Sequence, residues 1–228
     1  MTKVKEFFVS IQGEGPYVGY KQLFIRFCEC NLACKYCDTE FRADSLTPEY
    51  SAQELFESVT KLELTGVHSV SLTGGEPLIE TAFLKEFLPL VRTAGLGKIY
   101  LETNATMPQK FLEIAEFVDI VSADIKLTSS TGIKRLLGRH DEFFAACRSR
   151  GVETFAKIVF DSAITDEEIS ETAALAKKYG LEIVLSPMML GNKMSVTSEF
   201  VAGVYDKYLR YYERVRVIPQ VHKFLGVE

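Results

Sequence analysis

Four of the five cysteines fall within ten residues, CECNLACKYC over positions 28–37. Cys30, Cys34 and Cys37 are spaced C-x3-C-x2-C, and thiols this dense serve either a metal or a disulfide framework. The odd cysteine total argues against disulfides. So does the amino-terminal stretch MTKVKEFFVSIQGEG, whose apolar run is too short for a signal-peptide core. The chain is expected to be cytoplasmic, where thiols stay reduced. A structural zinc commonly takes four ligands in two C-x2-C arms, and here the second arm is missing. Cys28 completes a set of four only by leaving the strand that carries it, so it is read as a spectator. Cys147, beside Ala145 and Ala146 in EFFAACRSRG, reads as a small core hydrophobe. Three thiolates suit a [4Fe–4S] cluster with one iron left open for a ligand.

The elements that must hold such a loop are marked by four glycines. Gly66, Gly95, Gly151 and Gly180 each stand between a helical stretch and an apolar one, where a helix ends in the left-handed region and a strand begins. Ser51 with Glu54, and Thr165 with Glu168, fit the capping box that opens a helix. Leu55, Val59 and Leu62 form one apolar stripe on the first of these helices. The strands expected are KQLFIRFC, HSVSLT, KIYLET, VDIVSADI, TFAKIVF, EIVLSP and RVIPQV. Near-continuous apolar strands alternating with helices predict an α/β fold with a parallel sheet. Six or seven such units fall short of a closed barrel, leaving an incomplete barrel or an open doubly wound sheet. In both, ligands bind at the carboxyl ends of the strands. The cysteine loop, TGGEP, ETN, SADIK and SPM all sit there.

Strand alternation puts Arg26, Cys28 and Cys30 on one face of the first of these strands, and Ile25, Phe27 and Glu29 on the other. A guanidinium turned inward needs a carboxylate, from the protein or from a ligand.

C-x3-C-x2-C followed by Gly74-Gly75-Glu76-Pro77 and ETN resembles the radical S-adenosylmethionine (SAM) enzymes. FFVSIQGEGPYVGYKQLFIRF, CDTEF, LTGGEP and the ending QVHKFLG, spanning nearly the whole chain, look like the 7-carboxy-7-deazaguanine synthase family within them. The resemblance implies one radical SAM domain over residues 1–228, an incomplete (β/α)6-type barrel, and three groups: a [4Fe–4S] cluster on Cys30, Cys34 and Cys37, SAM, and Mg2+ on Thr39. SAM is expected across Tyr36, Cys37, Asp38, Gly75, Glu76, Ser122, Asp124, Lys126, Ser186, Pro187 and Met188. The substrate 6-carboxy-5,6,7,8-tetrahydropterin is expected at Ile11, Gln12, Gly13, Glu14, Arg26, Thr73, His222 and the terminal carboxylate of Glu228. Electron transfer into the cluster splits SAM to a 5'-deoxyadenosyl radical, which abstracts a hydrogen at C6. Ring contraction and loss of ammonia follow, and SAM is regenerated. A flavodoxin or ferredoxin is implied as electron donor, and a homodimer as the assembly, with the tyrosines of SEFVAGVYDKYLRYYERV facing either the partner or their own core.

A formal net charge of -5 lacks the basic excess of a nucleic-acid binder. No apolar stretch is long enough to span a bilayer. Of the other histidines, His68 begins a strand, and His140 in the charged run GRHDE reads as a solvated surface residue. Two rivals remain open. A glycyl-radical activating enzyme shares the cluster but wants an open docking surface, and incubation with the pterin separates it. A zinc module on four cysteines would purify anaerobically as a colourless protein without labile sulfide.

Overall fold

The computed structural model describes residues 1–37 and 40–227. The chain opens with β1 (Thr2–Ile11) and β2 (Lys21–Phe27), paired antiparallel with Ile11 opposite Lys21. β1 is absent from the expected strands because Lys3, Lys5 and Glu6 interrupt its apolar run. Next come β3 (Glu49–Tyr50), which pairs with the start of β1, then α1 (Ala52–Val59), β4 (Ser69–Gly74), α2 (Thr81–Thr93) and β5 (Lys98–Thr103). α3 (Pro108–Leu112), β6 (Ile120–Asp124), α4 (Thr128–Thr131), α5 (Leu137–Arg150), β7 (Glu153–Phe160) and α6 (Asp166–Tyr179) continue the alternation. β8 (Glu182–Pro187), the hairpin β9 (Met189–Leu190) and β10 (Lys193–Met194), α7 (Ser198–Leu209), β11 (Val215–Val217) and α8 (Val221–Leu225) complete it.

The main sheet runs β11-β8-β7-β6-β5-β4-β2-β1-β3, and every neighbouring pair from β2 to β11 is parallel. These strands follow one another in chain order without a reversal. Right-handed crossovers then place the intervening helices on one face and curve the sheet around the other. A doubly wound sheet reverses its order midway. Of the two architectures open to the sequence, the incomplete barrel is therefore the one formed, with β3 and β11 left as edges.

The local signals explain the helices. Ser51 and Thr165 each accept the backbone N–H of the glutamate three residues on, and each glutamate accepts the cap's own N–H in return. Gly66, Gly95, Gly151 and Gly180 all take positive φ. Leu55 and Val59 of α1 are fully buried, each contributing about 1.5–3 kcal/mol. They join one continuous core with Ile25, Phe27, Leu72, Leu101, Ile158 and Phe143 between sheet and helices. On the concave face Tyr100, Ile120, Phe155 and Val184 form a separate cluster, against which Tyr17 packs. This cluster floors the barrel.

The expected last helix is shorter than SEFVAGVYDKYLRYYERV. α7 stops at Leu209, and only Val215–Val217 of the region around RVIPQV pairs as a strand. Tyr208 is fully buried, its hydroxyl 2.9 Å from Thr172 Oγ1, and Tyr212 is buried too, while Tyr211 is exposed. Among the described residues, no helix is long and apolar enough to cross a membrane.

Candidate active site

A cavity of about 540 Å3 opens within the curve of the sheet, in the size range of small-molecule sites. Cys30, Cys34 and Cys37 line it together. β2 ends at Phe27, so the expected alternation through Cys28 to Cys30 stops there. Glu29 then takes φ +65°, a conformation held by Glu29 N donating to Phe41 O and Glu29 O accepting from Glu76 N. Cys28 stays buried and does not line the cavity. The Cys30 sulfur accepts from Leu32 N at 3.5 Å and faces Asn104 Nδ2 at 3.9 Å. Burial pushes the Cys30 and Cys34 thiols up, and the neighbouring charge of Cys37 pushes both in the same direction. Cys147 is buried in α5, where burial raises its thiol to about 12. A loop presenting three cavity-facing sulfurs, one with N–H donors, fits an iron–sulfur cluster. Among the described residues, no three His, Cys, Asp or Glu side chains converge as a single-ion site.

The rim around the thiols is built from strand ends. Tyr36, Gly75, Ser122, Asp124, Lys126, Ser186, Pro187 and Met188 all line the same cavity. Gly75 is required there: a Cβ on it would lie 1.8 Å from Glu29 O. Lys126 donates to Asp124 Oδ2 at 2.8 Å and to the Tyr36 hydroxyl at 2.9 Å. Burial would lower the Lys126 ammonium's pKa, but Asp124 and Tyr36 together outweigh it and hold the group charged. Asp124 Oδ1 is buried without a hydrogen-bond partner among the described residues. A buried carboxyl oxygen left like this calls for a donor from a ligand. Glu76 departs from expectation. Its side chain is fully buried and outside the cavity lining, accepting from Thr103 Oγ1, Asn104 N and Leu78 N. Burial raises it to about 7 despite those bonds. It ties the end of β4 to the end of β5. Asp38, Thr39 and Glu228 lie outside the described residues.

The other side of the cavity comes from the arm after β1. Ile11, Gln12, Gly13, Glu14, Arg26, Thr73 and His222 all line it. The Gln12 amide donates to Gln22 Oε1 and Glu102 Oε1 and accepts from Glu14 N, which sets the arm's course. Gly13 lies under His222, where a Cβ would stand 2.3 Å from Nδ1. Val221 N donates to Gly13 O at 2.8 Å. Arg26 finds a protein carboxylate, Nε to Glu6 Oε1 at 2.6 Å, and its side chain is 23% exposed, so part of the fork is free for a ligand.

Four residues of this wall escaped the sequence reading. Glu102 accepts from Gln12 and from Thr73 Oγ1 at 2.8 Å. Lys157 bonds Glu14 at 2.6 Å, Gln220 bonds Glu14 from the opposite side, and Asn104 faces Cys30. Glu102 and Asn104 lie within the ETN already singled out by position. Lys157 is a lone charge inside an apolar strand, which is a legible signal.

His140 is the clear correction. It is buried, with Nε2 accepting from Lys126 N and Nδ1 donating to Ala105 O, and so it braces the strand ends that carry Lys126 and Asn104. Burial lowers its pKa from 6.5 to about 4. Between those values the unfolded chain binds a proton that the folded one does not. Stability therefore falls as pH drops through that window, by up to about 3 kcal/mol. Urea midpoints at pH 7 and pH 5 should show the fall in the wild type and a flatter profile in His140→Gln. An equal slope in both would refute the assignment.

Three comparisons bear on this arrangement. The model of the radical SAM superfamily matches residues 24–195. The chain is 34% identical to the 7-carboxy-7-deazaguanine synthase of Archaeoglobus fulgidus, covering 97% of each chain. It is 32% identical to that of Geobacter sulfurreducens, over 99% of this chain and 97% of the relative. The fold is similar to the crystal structure of QueE from Escherichia coli, with a TM-score of 0.62 at 19% identity, covering 97% of this chain and 94% of that one.

Proposed function

Because the chain belongs to the radical SAM superfamily and, within it, to the 7-carboxy-7-deazaguanine synthases, we propose that its cavity converts 6-carboxy-5,6,7,8-tetrahydropterin to 7-carboxy-7-deazaguanine with loss of ammonia. One observation carries the assignment of this cavity. Three thiols, the Asp124 carboxylate and the Arg26 guanidinium, which is in part exposed, all line one cavity.

When bound, the reduced [4Fe–4S] cluster and SAM supply a 5'-deoxyadenosyl radical that takes a hydrogen atom from the pterin. Cys30, Cys34 and Cys37 hold the cluster, and Asn104 steadies the first of these sulfurs. Gly75 allows a ligand to approach the backbone of the strand end. Asp124 Oδ1 receives a hydroxyl or ammonium donor of the cofactor, and the Tyr36 ring with Lys126 closes that wall. Arg26 meets the substrate carboxylate, while Gln12, Glu14, Thr73 and His222 surround the rest of the ring system. The buried cluster of Tyr100 and Phe155 would close the concave face of the sheet to water. Mg2+ on Thr39, acting as Lewis acid and template for the substrate carboxylate, belongs to the same reading. So do a single domain over residues 1–228, a cytoplasmic homodimer, and reduction by a flavodoxin or ferredoxin.

The test is anaerobic incubation of the reconstituted protein with reductant, SAM, Mg2+ and the pterin. Formation of 7-carboxy-7-deazaguanine with ammonia is expected, slowed when Mg2+ is chelated. No product from a protein with full cluster content would overturn the reading. Arg26→Gln is expected to raise KM for the pterin about 10- to 100-fold with a smaller change in kcat. An unchanged KM would remove Arg26 from the substrate's carboxylate.

A further inference from the structure

β7 alternates Phe155, Lys157 and Val159 toward the concave face, and Ala156, Ile158 and Phe160 into the core beneath the helices. Lys157 is thus placed just above the aromatic floor, with its side chain only 14% exposed. An ammonium there is costly unless it is paired. Its Nζ lies 2.6 Å from Glu14 Oε2 and 3.3 Å from Asp124 Oδ2. These two carboxylates come from opposite walls: Glu14 from the arm after β1, Asp124 from the end of β6. Lys157 is the residue bonded to both. Asp124 Oδ2 is also held by Lys126 at 2.8 Å, so the shorter Glu14 contact is the stronger attachment of Lys157.

We propose that Lys157 is a positioning residue for the substrate: its ammonium fixes the Glu14 carboxylate on the pterin side and ties it to Asp124 on the cofactor side. One cation then sets the spacing between the two subsites, which radical chemistry requires to be close and fixed. The inference rests on the reading of the cavity given above.

The electrostatics agree. Burial would raise the Glu14 carboxyl, but Lys157 and the hydrogen bonds from Lys157 and Gln220 hold it at about 2. The groups facing Glu14 are Lys157 from β7, with Gln220 and His222 from the segment at α8; Lys157 in turn faces Asp124 from β6 and Glu102 from β5. Without Lys157, burial dominates and Glu14 takes up a proton in the ordinary acid range or above it.

The experiment uses holoenzyme with SAM bound, under anaerobic conditions, and measures pterin affinity by calorimetry from pH 8 to pH 5.5 for the wild type, Lys157→Met and Lys157→Arg. Comparing variant with wild type at each pH separates the effect of the substitution from the pH dependence that both share. Lys157→Met is expected to bind the pterin about 10-fold or more weakly at pH 8, with the ratio widening toward pH 5.5. Lys157→Arg should restore affinity to within a few-fold, which a packing defect would not allow. Circular dichroism and iron content confirm that each variant is folded and loaded. Lys157→Met with wild-type affinity, or with a loss independent of pH and not rescued by arginine, sinks this inference alone. A wild-type enzyme that fails to bind the pterin sinks the functional reading, and this inference with it.

Discussion

Cys30→Ala, reconstituted anaerobically, should hold little iron or sulfide, and its turnover should fall by at least about 1000-fold, as expected when radical generation is lost outright. Cys34→Ala and Cys37→Ala should behave alike, since all three sulfurs line the cavity and none has a substitute there. Cys28→Ala is the informative contrast. Its thiol is buried away from the cavity, raised by burial and influenced mainly by Lys5 and Glu29 rather than by the other cysteines. It should keep its visible absorption and activity, losing about 1 kcal/mol of stability for the small void. Iron content across the four variants decides the matter. Equal loss in Cys28→Ala and Cys30→Ala would make Cys28 a ligand and remove the open iron.

Gly75→Ala is the second large effect. The added methyl would meet Glu29 O at 1.8 Å and Glu29 C at 2.4 Å, and neither is a flexible side-chain end that can swing away. Relief requires β4 and the base of the cysteine loop to move apart. That strains Gly75 N to Phe27 O at 3.1 Å and Glu76 N to Glu29 O at 2.8 Å. Glu29 already occupies the left-handed region at φ +65°, so it has little room to yield. A loss of about 3 kcal/mol, or a Tm lower by about 6–12 °C, is expected, together with poorer cluster retention. Gly203→Ala, in open space on α7, should be neutral or slightly stabilising. If Gly75→Ala matched it in thermal melting, the close approach at the strand end would be wrong.

Much of this architecture could be read from residue order. Gly151 and Gly180 end their helices, the capping boxes begin theirs, and KIYLET and EIVLSP are strands over the same residues. Most of the residues expected at the cofactor and substrate face one cavity. What escaped depends on distance along the chain. Lys157 escapes the sequence because its partners lie 143 residues away at Glu14 and 33 away at Asp124. His140 looked solvated because its sequence neighbours are charged, while the turn at Ala105 that buries it is 35 residues distant. Glu76 was expected at the ligand by position, but the side-chain partners at Thr103 and Asn104 draw it inward. β1 was hidden by charges on the face it shares with Arg26, where Glu6 is that arginine's partner.

The hydrogen bond from Gln220 to Glu14 spans 206 residues, and with Val221 N to Gly13 O it joins the segment after β11 to the arm after β1. During synthesis, the cysteine loop at residues 30–37 therefore leaves the ribosome long before the wall that encloses it exists. Metal delivery and enclosure are separated in time by the order of translation alone. A ribosome stalled before Gln220 would display the iron ligands beside a half-built chamber, open to a delivery protein and equally open to oxygen.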